Sequence, residues 1–285
     1  MSKKINYFLQ AVIIYFFFLI GRILGIFLSR KIFSFLFSKI GPLIKSKEVV
    51  NYNLKLFNKD LSISERENIK KDMWRNYGMT FIEYVFLDKF KKRNSHITIK
   101  GEENLSPIIK GNRQAIFISG HFANFELMSM EISKKNINLA TIYRPLNNFF
   151  LNPFMEFLRK KYVCKNQIKK GINGVRQTID FINNQHSVAL MIDQRVSEGE
   201  LINFFEKPAL TTTLPAHLSK KYNLPIIPVF IQRINDDKFV IEFKEKIEAK
   251  DYRNKLDLTK KLNSILEDLI KHNPNQWIWT HNRWK

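Results

Sequence analysis

The sequence predicts an α/β protein, with one domain built on a central mixed sheet flanked by helices and an N-terminal hydrophobic membrane helix before it. Two observations support this fold class. After residue 96, short apolar runs alternate with longer amphipathic segments, which is typical of strands and helices that follow one another along the chain. Before that point, residues 5–21 carry no charge and consist mainly of Ile, Phe, Leu and Val. With 285 residues and 45% hydrophobic side chains, the chain has enough apolar material for a large core.

The apolar N-terminal segment is predicted to be a membrane-affine helix. A spanning helix needs about 20 apolar residues, and the uncharged run is interrupted at Arg22 before apolar residues resume. The segment therefore suits either a helix that crosses a bilayer or one that lies in its interface. The first 50 residues carry eight Lys and Arg against one Glu, which suits an anionic cytoplasmic leaflet. We expect residues 1–45 to form a membrane anchor and residues 46–285 to form the folded domain.

The segment from residue 48 to about 95 has a polar, helical pattern. Ser64 and Glu67 have the three-residue spacing of a capping box, so we expect a helix to begin at Ser64. Aromatic side chains enrich one side of this helix, which indicates packing against a core or a membrane surface. We assign no chemistry to this segment.

The predicted elements of the main domain alternate along the chain. Strands are predicted at 115–119, 139–143, 187–192, 226–231 and 239–243. Helices are predicted near 124–135, 152–162, 172–184, 211–222 and 257–271. Neither an internal repeat nor a Gly-, Ser- or Pro-rich linker divides this region, so we expect one domain.

The strongest candidate for chemistry is the segment Ser-Gly-His-Phe-Ala-Asn-Phe-Glu at 119–126, where a strand is predicted to end and a helix to begin. Gly120 permits a turn, His121 falls on the loop, Asn124 is a candidate helix cap, and Glu126 falls in the first helical turns. If the chain folds back there, the Glu126 carboxylate can hold the imidazole in one tautomer. The other ring nitrogen of His121 is then free to take a proton from a substrate hydroxyl. The alternative is a structural His121 that only caps the loop.

Two further candidates follow predicted strands. Arg144 precedes Pro145, which favours extended backbone at a strand end, a suitable place to hold a phosphate or an oxyanion. The alternative for Arg144 is a surface salt bridge. Asp193 directly follows an apolar run, where an acid is often only a turn former. Three of the four tryptophans fall in the last nine residues, and there we favour packing over catalysis.

Five blocks of sequence, in order along nearly the whole chain, carry a family resemblance. They are 120–126 (GHFANFE), 143–148 (YRPLNN), Asp193-Gln194 with 204–211 (FFEKPALT), 225–229 (PIIPV), and 274–285 with its alternating Trp, His and Arg. On these blocks the sequence resembles the late (lauroyl and myristoyl) acyltransferases of lipid A biosynthesis, within the wider lysophospholipid acyltransferase group.

The resemblance implies transfer of a fatty acyl group from an acyl carrier protein thioester to a hydroxyl of a lipid A precursor of the Kdo-lipid IVA type. It implies a location on the cytoplasmic face of the cell inner membrane, with residues 46–285 as the acyltransferase domain. The catalytic residues would be His121 and Glu126, and the residues that bind substrate would be Arg144, Asp193, Gln194 and Asn124. No cluster of Cys and His with metal-ligand spacing occurs in the sequence, so we expect neither a metal nor another cofactor.

The sequence departs from the family pattern at a few positions. Ala123 stands where Gly is common, Phe125 where Trp is common, and Glu206 where Gly is common. The Phe-Pro-Glu-Gly-Thr-Arg block typical of glycerolipid acyltransferases does not occur in the sequence, which argues against lysophosphatidate as the acceptor. Each departure is expected to affect the acceptor pocket and not proton transfer.

The net charge of +21, from 47 Lys and Arg against 26 Asp and Glu, predicts polyanionic partners. An acidic acyl carrier protein and a phosphorylated glycolipid both fit, and we expect these and the inner membrane as partners, with no nucleic acid. Within the same class, the alternative is another phospho- or glycolipid acceptor. The alternative from a different class is a membrane-tethered nucleic-acid-binding protein, which would instead need a clustered basic motif with stacking aromatics.

Overall fold

The computed structural model describes residues 2–44, 47–93, 96–111 and 113–285, and it has the predicted mixed α/β architecture. Within these residues the α-helices are α1 (Lys3–Ile44), α2 (Lys47–Phe57), α3 (Ile63–Glu83), α4 (Leu87–Lys92), α5 (Ser106–Ile109), α6 (Glu126–Lys134), α7 (Asn152–Leu158), α8 (Ile172–Asn183), α9 (Leu214–Tyr222) and α10 (Lys255–His272). The strands are β1 (Ile97–Lys100), β2 (Ile116–Ser119), β3 (Leu139–Tyr143), β4 (Asn166–Lys169), β5 (Ser187–Met191), β6 (Glu200–Phe204), β7 (Lys207–Thr211), β8 (Ile226–Ile234) and β9 (Lys238–Phe243).

The central sheet has seven strands in the order β1-β9-β8-β2-β5-β3-β4, and β6 and β7 form a separate hairpin. Strands β8 and β9 pair antiparallel, whereas the other neighbours in the sheet pair parallel. Side chains of a strand alternate between the two faces, so Phe117 of β2 joins one hydrophobic core and Ile116 and Ile118 join the other. Because β2, β5, β3 and β4 are parallel, their carboxyl ends share one edge of the sheet.

The five predicted strands are confirmed as β2, β3, β5, β8 and β9, and the five predicted helices as α6 to α10. Helix α7 continues into a π-helical turn at Arg159–Val163, which together cover the predicted 152–162 segment. The sequence analysis did not predict β1 and β4, which form the two edges of the sheet. Each has only four residues and keeps polar side chains on its exposed positions, as edge strands commonly do.

The capping box was predicted two residues too late. Helix α3 begins at Ile63, and Ser62 caps it by accepting a hydrogen bond from the Glu65 amide while the Glu65 carboxylate accepts from the Ser62 amide. Both Ser62 and Ser64 have Glu three residues later, so the spacing alone does not choose between them.

Helix α1 is long and apolar enough to cross a membrane over Lys3–Leu43, and only 17% of its most apolar 18-residue stretch is buried. This exposure separates α1 from the core helix of a soluble protein, which buries most of its surface. The helix is broken at Gly25, whose φ of 77° is a left-handed conformation that favours glycine, and its two halves fold back on each other, with the Phe17 and Phe33 rings 5.6 Å apart. The expected boundary between anchor and domain, at residues 45 and 46, lies outside the described residues.

A buried cluster of charges joins α1 to the sheet. Glu83, at the end of α3, is completely buried and accepts hydrogen bonds from Arg30 of α1 at 2.6 Å and from Arg233 of β8 at 2.5 and 2.9 Å. It also accepts from the Asn124 side chain at 2.9 Å. Burial by itself would raise the pKa of Glu83, but the charges of Arg233 and Arg30 outweigh it and lower the pKa. The carboxylate therefore stays ionised and connects three elements of the fold.

Candidate active site

The carboxyl end of β2 carries His121 on a tight loop before α6. An added Cβ at Gly120 would lie 2.8 Å from the Phe122 ring and 3.0 Å from Leu266, so the close approach here requires glycine. Ala123 has a φ of 45°, in the left-handed region. The Ala123 carbonyl accepts a hydrogen bond from the Thr80 hydroxyl at 2.9 Å, which helps to hold that conformation.

Asp193 meets His121 because β2 and β5 are neighbouring parallel strands. Ser119 pairs with Met191, so His121 and Asp193 each stand two residues beyond a matched pair at the same sheet edge. The imidazole Nδ1 of His121 lies 2.8 Å from Oδ1 of Asp193, and the backbone N–H of His121 donates to Oδ2 at 2.7 Å. The indole N–H of Trp277 donates to the same Oδ2 at 2.9 Å.

The Asp193 carboxylate is ionised although it is completely buried. Burial alone would raise the pKa of Asp193, but the positive charge available on His121 and the two hydrogen bonds from that residue lower it well below its usual range. An ionised carboxylate can only accept hydrogen bonds. Nδ1 of His121 must therefore carry the proton, which leaves Nε2 as the acceptor when the ring is neutral.

The other side of the imidazole faces polar and aromatic groups. The amide nitrogen of Gln194 lies 3.3 Å from Nε2 of His121 and 2.9 Å from Nε2 of His281. Phe125 packs edge-to-face on the His121 ring, with the ring centroids 4.7 Å apart. A donor placed at Nε2 fits a nitrogen that is free of a proton. The structure therefore places Gln194 against the two histidines, and the expected contact of Gln194 with substrate stays a prediction.

Glu126 does not orient His121 in the structure, contrary to the expected pairing. Its Oε1 accepts a hydrogen bond from the Tyr84 hydroxyl at 2.6 Å and from the Arg159 guanidinium at 2.7 Å. Glu126 is the first residue of α6, and from that position its side chain reaches Tyr84, directly after α3, and the π-helical turn. Although Glu126 is only five residues from His121 in sequence, its carboxylate does not contact the imidazole. The Asp193 carboxylate occupies Nδ1 of His121 instead.

Asn124 lies in the loop but does not cap α6. The helix begins after Phe125, and the Asn124 side chain is buried and donates to Glu83. Its side-chain oxygen is a buried acceptor for which the described residues provide no hydrogen bond. The structure therefore connects Asn124 to the buried charge cluster, and a substrate contact by this residue stays a prediction.

Arg144 lies one residue beyond β3, at the same sheet edge as His121 but two strands away. The side chain is exposed and forms no ion pair within the described residues. Lys170, one residue beyond β4, donates its backbone N–H to the Tyr143 carbonyl, which places the two cations close together. Burial lowers the pKa of Lys170, and the charge of Arg144 lowers it further. Two neighbouring cations at the carboxyl edge of the sheet favour the binding of an anion there.

Several site residues were not identified from the sequence. Trp277 was assigned to packing, and it is buried, but its indole also contacts the Asp193 carboxylate. His281 was quoted in the closing block without a role, although it contacts Gln194. Arg159 gave no sequence signal, because it comes from the middle of a helical segment. Its Nη1 is a buried donor without a hydrogen-bond partner in the described residues.

Gly120→Ala is expected to lower kcat by about 10-fold or more, because the added methyl must push the loop that carries His121 away from Asp193. Overpacking of this kind costs about 1–3 kcal/mol. Steady-state turnover and thermal unfolding of the variant would be measured together. An unchanged kcat with an unchanged Tm would show that the loop has more room than these contacts allow.

The whole described chain matches a known protein family. Residues 2–285 match the family model described as bacterial lipid A biosynthesis acyltransferase. The chain is 24% identical over 270 residues to the lipid A biosynthesis palmitoleoyltransferase of Escherichia coli (strain K12), and the alignment covers 90% of this chain and 86% of that protein. The lipid A biosynthesis acyltransferase of Shigella flexneri matches with the same identity and coverage. The crystal structure of the 1-acyl-sn-glycerophosphate (LPA) acyltransferase PlsC from Thermotoga maritima aligns with 87% of this chain and 99% of that one, at a TM-score of 0.43 and 17% identity.

Proposed function

Because the chain belongs to the bacterial lipid A biosynthesis acyltransferase family, we propose that it moves a fatty acyl group from an acyl carrier protein thioester to a hydroxyl of a Kdo-lipid IVA type precursor. The family supports the coarser statement, that the chain is an acyltransferase of lipid A biosynthesis. The donor, the acceptor and the roles of the residues are the proposed part. The observation that carries the proposal is the pair of His121 and Asp193 at the carboxyl edge of the sheet.

In the proposed reaction, His121 acts as the general base. Nε2 takes the proton of the acceptor hydroxyl while the hydroxyl oxygen attacks the thioester carbonyl. Asp193 keeps the proton on Nδ1 and stabilises the imidazolium that forms. When the tetrahedral intermediate collapses, the carbon–sulfur bond breaks, and the imidazolium returns its proton to the departing thiolate. The products are the ester and the free thiol of the carrier.

The oxyanion of the intermediate needs donors that are already in position. Arg159 has a buried Nη1 without a partner in the described residues, and its guanidinium is fixed by Glu126. We therefore assign Glu126 a positioning function that acts through Arg159. The guanidinium also lies 5.6 Å from the centre of the Tyr143 ring, at the end of β3. This arrangement keeps a fixed cation near the sheet edge where the chemistry is proposed to occur.

The charges at the sheet edge suit an anionic acceptor. Arg144 and Lys170 follow adjacent strands and repel each other, so a bound phosphate would relieve that repulsion. The net charge of +21 also favours the approach of an acidic carrier protein. Helix α1 is proposed to keep the enzyme at the cytoplasmic face of the inner membrane, where both substrates meet.

Arg144→Lys is expected to lower kcat/KM for the phosphorylated acceptor by about 10-fold, and Arg144→Ala by up to about 100-fold. A planar guanidinium can bind a phosphate through two parallel hydrogen bonds, which an ammonium group cannot reproduce. Arg253→Ala, at an exposed arginine on the segment before α10, is the matched control and should retain normal kinetics. Normal kcat/KM in Arg144→Lys would remove Arg144 from the acceptor site.

The function is tested by acyl transfer with purified enzyme. Radiolabelled acyl carrier protein thioester would be supplied with a Kdo-bearing tetraacylated lipid A precursor, beside lysophosphatidate as the competing acceptor and acyl coenzyme A as the competing donor. We expect the carrier protein and the lipid A precursor to be preferred. A better rate with lysophosphatidate would contradict the proposed acceptor, and a better rate with acyl coenzyme A would contradict the proposed donor.

A further inference from the structure

A basic groove lies at the carboxyl edge of the sheet, where β4 ends and α8 begins. Its volume is about 690 Å³, and the side chains that line it include Lys169, Lys170, Ile172 and Arg176. All four of these side chains are exposed. We call these four residues the α8 surface. Only Lys170, which adjoins Arg144, has a place in the proposed reaction, so the rest of the groove needs an explanation of its own.

The cations of the α8 surface outnumber the acids around them. Arg176 forms no ion pair with any residue that the structure describes. Lys169 pairs with Glu156 at 3.1 Å, but 61% of the Lys169 side chain stays exposed. Burial and a neighbouring cation lower the pKa of Lys170 by more than the charge of Glu198 raises it. The surface therefore has a positive charge that an acidic partner would stabilise.

Ile172 gives the α8 surface an apolar centre. The inner side of α8 is formed by Gly174, Thr178 and Ile182, which are buried. Ile172 lies on the outer side, where 80% of it is exposed, and Arg176 follows it by one turn on that side. Interfaces between proteins combine an apolar centre with a charged rim. A large exposed apolar side chain beside cations thus favours a protein partner over a free phosphate.

Helix α8 lies on the face of the sheet opposite to α1. Ile182 of α8 belongs to the hydrophobic core that contains Ile116 of β2, whereas Phe18 of α1 belongs to the core that contains Phe117. Because neighbouring side chains of a strand point to opposite faces, the sheet separates the two helices. The exposed apolar surface of α1 is therefore on the other side of the sheet from the α8 surface. This separation favours a partner from the aqueous phase over a lipid headgroup.

The α8 surface is also at a suitable distance from His121. In the strand order β2-β5-β3-β4, the end of β4 is three positions from the end of β2. Neighbouring strands are about 4.8 Å apart, so the two strand ends are separated by about 14 Å. The phosphopantetheine arm of a carrier protein is longer than this distance when it is extended. A carrier protein on the α8 surface could therefore deliver its thioester to His121 without entering the site itself.

We propose that the α8 surface is the docking site of the acidic carrier protein, with Ile172 at the centre of the contact and with Arg176 and Lys169 against carboxylates of the carrier. This inference rests on the proposed function, in which a carrier protein thioester is the donor. Charged groups at the rim of an interface mainly raise the rate of association, and salt screens them. Lys170 then stands between the docked carrier and Arg144 of the acceptor site.

The docking site is tested by Arg176→Glu and Ile172→Asp, which change exposed side chains and should leave Tm unchanged. We expect each variant to raise the KM for the acyl carrier protein thioester by about 10-fold, with little change in kcat. Acyl pantetheine offers the same thioester without the protein, so its kcat/KM should stay at the wild-type value. Lys260→Glu, at an exposed lysine of α10, is the matched charge reversal and should behave as wild type with both donors.

An unchanged KM for the carrier thioester in both variants would overturn the docking site. A higher KM for the lipid A precursor, with a normal KM for the carrier thioester, would assign the surface to the acceptor instead. An equal loss of kcat/KM with acyl pantetheine would show that the substitutions act on the catalytic site and not on docking. The proposed donor is tested separately by the wild-type enzyme, since a failure to use the carrier thioester at all would contradict the proposed function itself.

Discussion

Asp193→Asn is expected to lower kcat for acyl transfer by about 10³- to 10⁴-fold, with little change in the binding of either substrate. An asparagine amide can donate a hydrogen bond to Nδ1 of His121, which would leave the proton on Nε2. The imidazole would then present a donor to the acceptor hydroxyl and could not take its proton. The carbonyl oxygen of the asparagine can take the place of Oδ2 and keep the hydrogen bonds from the His121 backbone N–H and the Trp277 indole, so the loop should stay in place.

Glu126→Gln is the matched comparison, because it makes the same chemical change at the carboxylate that the sequence favoured. This variant should disturb Arg159 and lower the rate, but it should leave the pH dependence of kcat unchanged, since Glu126 does not touch the imidazole ring. The opposite result, a shifted pH profile in Glu126→Gln and a normal one in Asp193→Asn, would show that Glu126 orients His121 during the reaction.

Glu83→Ala is expected to destabilise the fold by about 3–5 kcal/mol, because it leaves two buried guanidinium groups without their counter-charge. For a chain of this size, such a loss corresponds to a fall in Tm of about 6–20 °C. Thermal unfolding of the protein in detergent would measure the change in Tm. Because Arg30 and Arg233 are buried, little water can screen their unpaired positive charges in this variant.

Asp88→Ala provides the control for this prediction. It also breaks an ion pair between α1 and the domain, but the Arg22–Asp88 pair is partly exposed, with 46% of the Arg22 side chain in contact with solvent. Exposed pairs contribute about 0–1 kcal/mol, so Asp88→Ala should shift Tm by a few degrees at most. Equal shifts in Glu83→Ala and Asp88→Ala would mean that burial does not strengthen the Glu83 cluster.

The sequence revealed the elements whose side-chain pattern is strong. Strands β2, β5 and β8 are buried on both faces and appear as nearly continuous apolar runs. The edge strands and the β6–β7 hairpin lack that signal. They have only four or five residues each, and polar side chains occupy their solvent-exposed positions. The loop at His121 was placed correctly, since it lies where such a run gives way to a glycine and a helical pattern.

The partner of His121 could not be chosen from local spacing. His121 and Asp193 are 72 residues apart, and they meet only because β2 and β5 are adjacent and in register. Strand order is not visible in a single sequence, so the nearer acid, Glu126, was the natural candidate. The predicted site thus contained both acids, but the structure brings Asp193 and not Glu126 into contact with the ring.

The C-terminal segment shows a related limit. Its tryptophans were expected to pack, and Trp279 is completely buried. The segment is held by Asn53 of α2, whose amide donates to the carbonyls of Trp279 and His281 at 2.8 and 2.7 Å. These contacts join residues more than 220 positions apart, and they bring Trp277 to Asp193. Only the fold reveals that the end of the chain completes the site.

A double-mutant cycle of His121→Ala and Asp193→Asn, with kcat for acyl transfer to the lipid A precursor as the readout, tests the His121–Asp193 pair most directly. Two groups that act as one unit give strongly non-additive effects. We expect Asp193→Asn to cost about 10³-fold or more in the wild-type background and less than about 3-fold in the His121→Ala background. An equal loss in both backgrounds would show that Asp193 acts independently of His121 and would contradict the proposed base.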